Sequence, residues 1–261
     1  ATLFIKFGIK ERVEFSKDPR SAPPLLKSLS FTFKNKAFVT YIIATFALWY
    51  AFGMIPTIVP LYGDFVLGIE DSFILSLLLA TGFISAAIFV FLWRVVISRY
   101  GAKVAFLLAL LSFIATLAPF MFISSMASAF IAFFFLGIGL SGALIVRDVT
   151  IGAIIDQDEL DNGIRREAGY YGINGFMVKL TNVVIFLTIA LVFNSVGWAV
   201  FDPLGTTKET IFGLRALMFL FPAIFLVAGI ISMLFFPITK EKYEEITDKA
   251  KEMHVEKLKN L

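Results

Sequence analysis

The chain has 261 residues, 59% of them hydrophobic and 16% charged, with a mean hydropathy of +0.87 and a formal net charge of +3. Such a composition lies far outside that of a water-soluble globular domain, and the absence of cysteine excludes disulfides, thiolate nucleophiles, Cys-ligated metals and iron–sulfur clusters while saying nothing of compartment. The Lys and Arg residues bunch between apolar runs, so they read as a topology signal and not as a nucleic-acid footprint.

Residues 1–9, ATLFIKFGI, are apolar, lack an initiator Met and run directly into KERVEFSKDPR. The expectation is the last turns of a membrane span whose start lies outside the sequence. Residues 10–37 follow as a hydrophilic linker, in which SAPPLLKSLSFTFKNKAF has two readings: a short amphipathic helix on the membrane surface, or plain linker. Six apolar segments then fall at about 38–62, 73–97, 103–123, 127–154, 172–199 and 211–237. At 1.5 Å per residue each gives about 30 to 40 Å of helix, enough to cross a hydrocarbon core of about 30 Å. The prediction is an all-α, polytopic membrane protein with a six-helix transmembrane bundle over 38–237 and a hydrophilic tail over 238–261.

Basic residues favour the cytoplasmic side. Seven lie in 10–37, six in 238–261, and Arg99, Lys103, Arg165 and Arg166 in the loops around 98–103 and 155–170; the alternate loops carry only Lys208. Both hydrophilic ends are therefore expected in the cytoplasm, as an even number of spans requires.

Charges within spans are costly, roughly 2.5 to 3.5 kcal/mol at a helix centre, and ask for a reason. Asp148 shares a helical face with Gly137, Ser141 and Gly152, and Lys179 shares one with Gly172, Gly175 and Asn182. The two charges are expected at matching depth. Faces of this kind either pack closely on a neighbouring helix or line a wet cavity. Two readings stand: a cation or substrate site with Lys179 as the movable charge and Asp148 as its partner, or a fixed structural pair. Arg147, one residue off that face, is expected to snorkel. Segments 103–123 and 211–237 are almost wholly apolar and read as lipid-facing, whereas 38–62 carries an aromatic and hydroxyl stripe. Candidates for lining a substrate cavity are Thr45, Trp49, Tyr50, Ser141, Asn174 and Asn182.

The segment IIDQDELDNGIRREAGYYGI reads as a loop whose acids, among them Asp156, Asp158 and Glu159, face Arg165 and Arg166. A Ca²⁺ loop is excluded because Leu160 and Asp161 stand where an EF-hand needs a ligand and a glycine. The alternatives are a solvated loop and a set of charges that must separate for the cytoplasmic side to open. The tail predicts a weakly amphipathic, solvated helix with Tyr243, Ile246, Ala250 and Met253 on one stripe, and its His254, the single His of the chain, offers neither a metal site nor an intramembrane base.

The run AIIDQDELDNGIRREAGYYGINGFMVKL resembles the region from the tenth to the eleventh span of the glycoside–pentoside–hexuronide:cation symporters, the melibiose permease group of the major facilitator superfamily, through Asp158, Glu159, Gly163, Arg165, Arg166, Gly169, Tyr171, Phe176 and Lys179. PLYGDFVLG resembles the outer end of that family's seventh span, and WRVVISRYGAKVAF its loop between spans eight and nine, with Arg99, Gly101 and Lys103 in place and Ser98 where the superfamily commonly has Asp. The resemblance implies the C-terminal half of a twelve-helix transporter. It implies further that Lys179 joins a cation-coupling network, that Arg99, Lys103, Asp156, Asp158, Glu159, Arg165 and Arg166 form a cytoplasmic gate, and that the cation-binding acids lie in an N-terminal half.

The expected function is secondary active transport in the cell membrane: symport of a sugar, glycoside or related small solute with Na⁺ or H⁺, by alternating access. No cofactor is expected beyond the coupling ion. The expected partners are the solute, the lipid bilayer and the N-terminal half, and no nucleic acid. The same family includes lysolipid carriers, and a non-transporting receptor or scaffold is the other alternative. A membrane enzyme is disfavoured, since the spans hold no Cys, no His and no paired carboxylates.

Overall fold

The computed structural model describes residues 32–195 and 207–259. The expectations for 1–31 and for most of the loop at 200–210 therefore lie outside the described residues. The elements are α1 (Lys36–Leu67), α2 (Ser72–Leu117), a 3₁₀ turn (Ala118–Met121), α3 (Met126–Asn162), α4 (Glu167–Ser195), α5 (Lys208–Met218), α6 (Leu220–Leu234) and α7 (Lys240–Lys259). Among the described residues there is no strand. Among the described residues, five helical stretches are long and apolar enough to cross a membrane: Lys36–Leu67, Ser72–Met121, Met126–Asn162, Glu167–Ser195 and Lys208–Leu234. The chain is a multi-pass, all-helical membrane protein.

The second stretch is too long for one crossing, and its geometry says why. Gly101 has φ 78° and ψ 172°, a backbone that only glycine adopts readily, inside the 46-residue α2. Trp93 and Ala109 each stand eight residues from Gly101, and both approach the same glycine of α3: a Cβ on Gly142 would lie 2.6 Å from Trp93 and 3.0 Å from Ala109. The chain thus turns back at Gly101, and its two arms, 72–100 and 102–117, lie together against α3. A Cβ at Gly101 would also sit 2.9 Å from Lys240, so the bend and the tail helix close on each other.

Local chemistry sets the other boundaries. Asn35 caps α1 by accepting from Ala37 and Phe38 N–H, Asp71 caps α2 through Phe73 N–H, and Ser125 forms a reciprocal capping box with Ser128 at the start of α3. Pro222 has no N–H for the Met218 carbonyl, and the helix breaks between α5 and α6 at Phe219. Gly163 ends α3 in the left-handed region at φ 71°.

The packing corrects two expectations. In the second arm of α2, Ala105, Phe106, Ala109, Leu110, Phe113 and Leu117 are fully buried, and in the 211–237 segment Leu214, Leu217, Met218, Leu226 and Met233 are too. Gly229 of α6 brings that helix within 3.1 Å of where Ala47 of α1 meets a would-be Cβ. These all-apolar segments supply core as well as lipid surface. The first arm of α2 carries much of the exposed apolar surface, with Phe83, Ile84, Ile88, Phe91, Leu92 and Val95 outward.

The connecting segments gather at two ends. At one, Asn35 donates to Tyr170 at the start of α4 (3.1 Å), Lys103 donates to the Leu234 and Phe236 carbonyls at the end of α6 (2.9 and 2.8 Å), and α7 meets the α2 bend. At the other, Tyr62 donates to the Phe120 carbonyl (2.7 Å) and Arg215 to that of Ile123 (3.3 Å). Segments assigned to one side by the basic-residue count share one end of the bundle.

Candidate functional site

The predicted small-residue stripe on α3 divides into two. Gly137 packs against the first arm of α2, where a Cβ would meet Ser85 Oγ at 2.0 Å, and Ser141 is buried with its hydroxyl donating to the Ile138 carbonyl (3.0 Å). Ser141 therefore belongs to a helix contact and not to a cavity. Further along, Gly152 has nothing within 4 Å of a would-be Cβ, and Asp148 is 60% exposed. Across from it on α4, Gly172 and Gly175 are equally open, and Lys179 and Asn182 are exposed. This is the open face of the bundle.

Asp148 and Lys179 sit fourteen residues before the end of α3 and twelve after the start of α4, about 21 and 18 Å along their helices. Their depths match, but they are not paired. Asp148 takes Arg147 as its partner at 2.8 Å, and among the described residues Lys179 has no ion pair. Consecutive residues on a helix point about 100° apart, which disfavours adjacent pairs by position alone; a long guanidinium nevertheless spans that angle. Arg147 does not snorkel freely: its guanidinium lies over the Trp49 ring, 4.9 Å from the centroid, and is only 17% exposed.

Trp49 comes from α1 with Thr45 and Tyr41 behind it at steps of four, one stripe along the helix. Tyr41 and, from α4, Tyr171 lie within electrostatic reach of the Arg147–Asp148 pair. Asn182 approaches the same helix, its Oδ1 3.8 Å from a would-be Cβ on Gly53. Buried polar atoms along these helices lack hydrogen-bond partners at Trp49 Nε1, Arg147 Nε and Asn174 Oδ1, while the Tyr41 and Thr45 hydroxyls lie towards each other. Leaving such a group unsatisfied costs about 1 to 3 kcal/mol each, so a cluster of them is an environment prepared for a polar guest. Tyr50 is fully buried with its ring 4.0 Å from that of Phe225 on α6 and its hydroxyl towards Thr188 of α4, so it packs between α1, α4 and α6.

The acidic segment is not a loop. Asp156, Asp158 and Glu159 lie on the last turns of α3, and only four residues, 163–166, connect to α4. Gly163 reverses the chain so that Arg165 reaches Glu159, Asp156 and Glu167 (2.8, 2.8 and 2.9 Å) and Arg166 grips Asp158 with two nitrogens. Burial works against the Arg165 charge, yet the hydrogen bonds it donates to Glu159, Asp156 and Glu167 outweigh it and hold its pKa above the ordinary value; Arg166 is raised chiefly by Asp158. Both stay charged at any working pH.

The tail joins this cluster. Ile246 and Ala250 are buried, and His254 Nε2 lies 3.1 Å from Glu159, whose side chain is wholly buried. The expectation of a solvated tail is thereby corrected, since a stripe that is weak by composition still docks when a complementary buried acid awaits it. Lys103 holds carbonyls at the end of α6, and Arg99 stacks on Tyr100 at 5.6 Å, so neither joins the acidic cluster directly. Two cations inside spans escaped the sequence reading: Arg94 on α2 and Arg215 on α5. Their signal, a lone charge in an apolar run, was there.

Nothing in this arrangement supplies a nucleophile next to a base; it can bind and release a polar solute. The profile of the family described as MFS/sugar transport protein matches residues 1–240. An uncharacterized symporter of Synechocystis sp. is 26% identical over 232 residues, covering 85% of this chain and 42% of that protein. The chain thus spans less than half the length of this curated relative. With its apolar helices, its depth-matched polar face and a match over nearly the whole sequence, the chain belongs to the MFS/sugar transport protein family, a family of membrane transporters and not of enzymes.

Proposed function

We propose that the protein is a secondary active transporter of the cell membrane, coupling movement of a sugar, glycoside or related small solute to Na⁺ or H⁺ by alternating access. In this reading the arms of α2 cross separately and α5 with α6 cross once, giving six spans that form the C-terminal half of a twelve-helix protein. Both hydrophilic ends are cytoplasmic, and an N-terminal half covers the open face of α1, α3 and α4. The ion pairs of Arg165 and Arg166 hold the cytoplasmic end and separate when it opens.

The observation that carries the reading is Lys179: an exposed ammonium in a membrane-crossing helix, without an ion pair among the described residues, on the face that Gly172 and Gly175 leave open. At that depth it needs a counter-charge supplied from outside the described helices. Because Asp148 is satisfied by Arg147, Lys179→Met leaves no acid of the described bundle stranded. In vesicles holding the complete polypeptide, uptake from a panel of radiolabelled mono- and disaccharides is measured with and without an imposed Na⁺ or pH gradient. Lys179→Met is expected to insert, fold and bind solute but lose gradient dependence. Full gradient-driven uptake by a well-expressed variant removes Lys179 from coupling. Single cysteines at Glu70 and Lys251 test orientation, the first alone being expected to react with an impermeant thiol reagent from outside.

A further inference from the structure

Away from the open face, a cleft of about 490 Å³ lies between the α2 bend, α3 and α7. Ile97, Ile145 and Val149 form its apolar wall, Arg94, Lys240 and Tyr243 its polar side, and Glu244 stands on the rim. Ile145 and Val149 are each two residues from Arg147 on α3, about 200° around the helix, so the cleft is separate from the candidate transport site.

Arg94 is the anomaly. It is exposed, lies seven residues before Gly101, about 10 Å along the helix, and shares its face with outward-facing Phe91, with Val95 exposed on the adjoining face. Among the described residues no carboxylate pairs with it. An unpaired guanidinium among lipid-facing side chains is stable only if its long stem carries it to the polar boundary and an anion meets it there. Lys240 stands at that boundary, its ammonium 3.7 Å from Glu244, beyond hydrogen-bond distance, and 40% exposed. Two cations against one carboxylate leave the mouth with a net positive charge, and with a branched aliphatic wall below it the cleft matches an amphiphile with an anionic head. Free phosphate has no use for Ile97, Ile145 and Val149; a zwitterionic head brings its own cation beside Arg94.

We propose that this cleft binds an anionic phospholipid, with the headgroup phosphate held by Arg94 and Lys240 and an acyl chain against Ile97, Ile145 and Val149. The lipid sits where the α2 bend meets the tail helix, and joins them. The proposal rests on the chain lying in a bilayer and is independent of what is transported.

The test uses the complete polypeptide in a neutral detergent with phosphatidylglycerol, phosphatidylcholine of the same chains, or inorganic phosphate, reading retained lipid by native mass spectrometry and the melting temperature in parallel. The unaltered protein is expected to retain one phosphatidylglycerol about thirtyfold more tightly than phosphatidylcholine, each basic side chain contributing about fivefold. Arg94→Gln with Lys240→Gln should abolish that preference, and Val149→Trp should expel the lipid without changing charge. Lys251→Gln, a fully solvated charge change on the tail, should leave it intact. Absence of the preference in the unaltered protein, its survival in the double variant, or displacement of the lipid by millimolar inorganic phosphate would each overturn the proposal. None of these outcomes bears on gradient-driven uptake, so the transport reading stands or falls separately.

Discussion

The first half of α3 sets Gly137, Gly139 and Gly142 so close to both arms of α2 that a Cβ on any of them would meet a neighbour at 2.0 to 2.7 Å, whereas the second half leaves Gly152 with nothing within 4 Å and Asp148 at 60% exposure. One helix thus carries small residues on two opposite kinds of surface. In the first half small residues let backbones approach, and dispersion across the contact replaces a hydrophobic drive that lipid cannot supply. In the second half they leave room. The difference shows that a small-residue stripe specifies proximity only where another helix of the same bundle arrives to use it.

The comparison breaks most visibly at Gly137. Gly137→Leu is expected to prevent accumulation of folded protein, and Gly137→Ala to cost about 3 kcal/mol or more, because the obstructing atoms include the Ala86 backbone nitrogen and not only a movable side chain. Gly152→Ala, by contrast, should leave the melting temperature in detergent unchanged or raise it. Equal losses at the two positions would refute the division of α3.

A second contrast lies in how the two regions treat charge. Glu159 is wholly buried and shared by Arg165 and His254, while Asp148 keeps a water-accessible carboxylate beside Arg147. Removing one partner of a buried ion pair costs about 3 to 5 kcal/mol, since the remaining charge stays buried. Arg165→Ala should therefore destabilise by about 3 kcal/mol, and adding Glu159→Gln should recover much of the loss. His254→Ala should cost only about 1 kcal/mol, the worth of one hydrogen bond. Asp148→Asn should cost about 1 to 2 kcal/mol, less than the fully buried pair, because the carboxylate is exposed but its Arg147 partner is mostly buried. A double-mutant comparison by thermal melting checks all four.

Trp49 links the regions. Its cation–π contact with Arg147 is worth roughly 0.5 to 2 kcal/mol, so Trp49→Leu should lower stability by about 1 kcal/mol while Trp49→Phe loses less. If solute stacks on this ring, solute affinity should fall in both variants by more than the stability change accounts for.

Much of this was legible in the sequence. Hydrophobic runs and basic loops placed the helices, and the glycine of WRVVISRYGAKVAF marked the turn that Gly101 makes. The side of each all-apolar helix was not legible: Phe106 and Phe113 face core while Phe83 and Phe91 face outward, and residue type cannot separate two environments that are both apolar. Pairing was legible by type and not by partner. Asp148 was matched to a cation at equal depth, but the neighbouring Arg147 closed the pair first, because Lys179 stands on a different helix with an open face between. His254 was dismissed for its charged surroundings, and only the fold brings Glu159 to it.

At Gly175 the expected change in stability is a small gain, and it sharpens the comparison furthest. Nothing lies within 4 Å of a would-be Cβ there, so Gly175→Ala should gain up to about 1 kcal/mol from helix propensity alone. A glycine at a helix interior with no packing contact in its own bundle leaves room for a body that approaches from outside it. If a second helical body closes over α1, α3 and α4 during transport, a side chain at this position obstructs the closed state while leaving the described fold untouched. Gly175→Leu in the complete polypeptide is therefore expected to melt at the unaltered temperature and to lose at least about tenfold in gradient-driven uptake, about 1.4 kcal/mol placed wholly on the closing step. Unchanged uptake in a folded Gly175→Leu protein would show that this face stays apart from any partner throughout the cycle, and the open half of α3 would then be lipid surface like the first arm of α2.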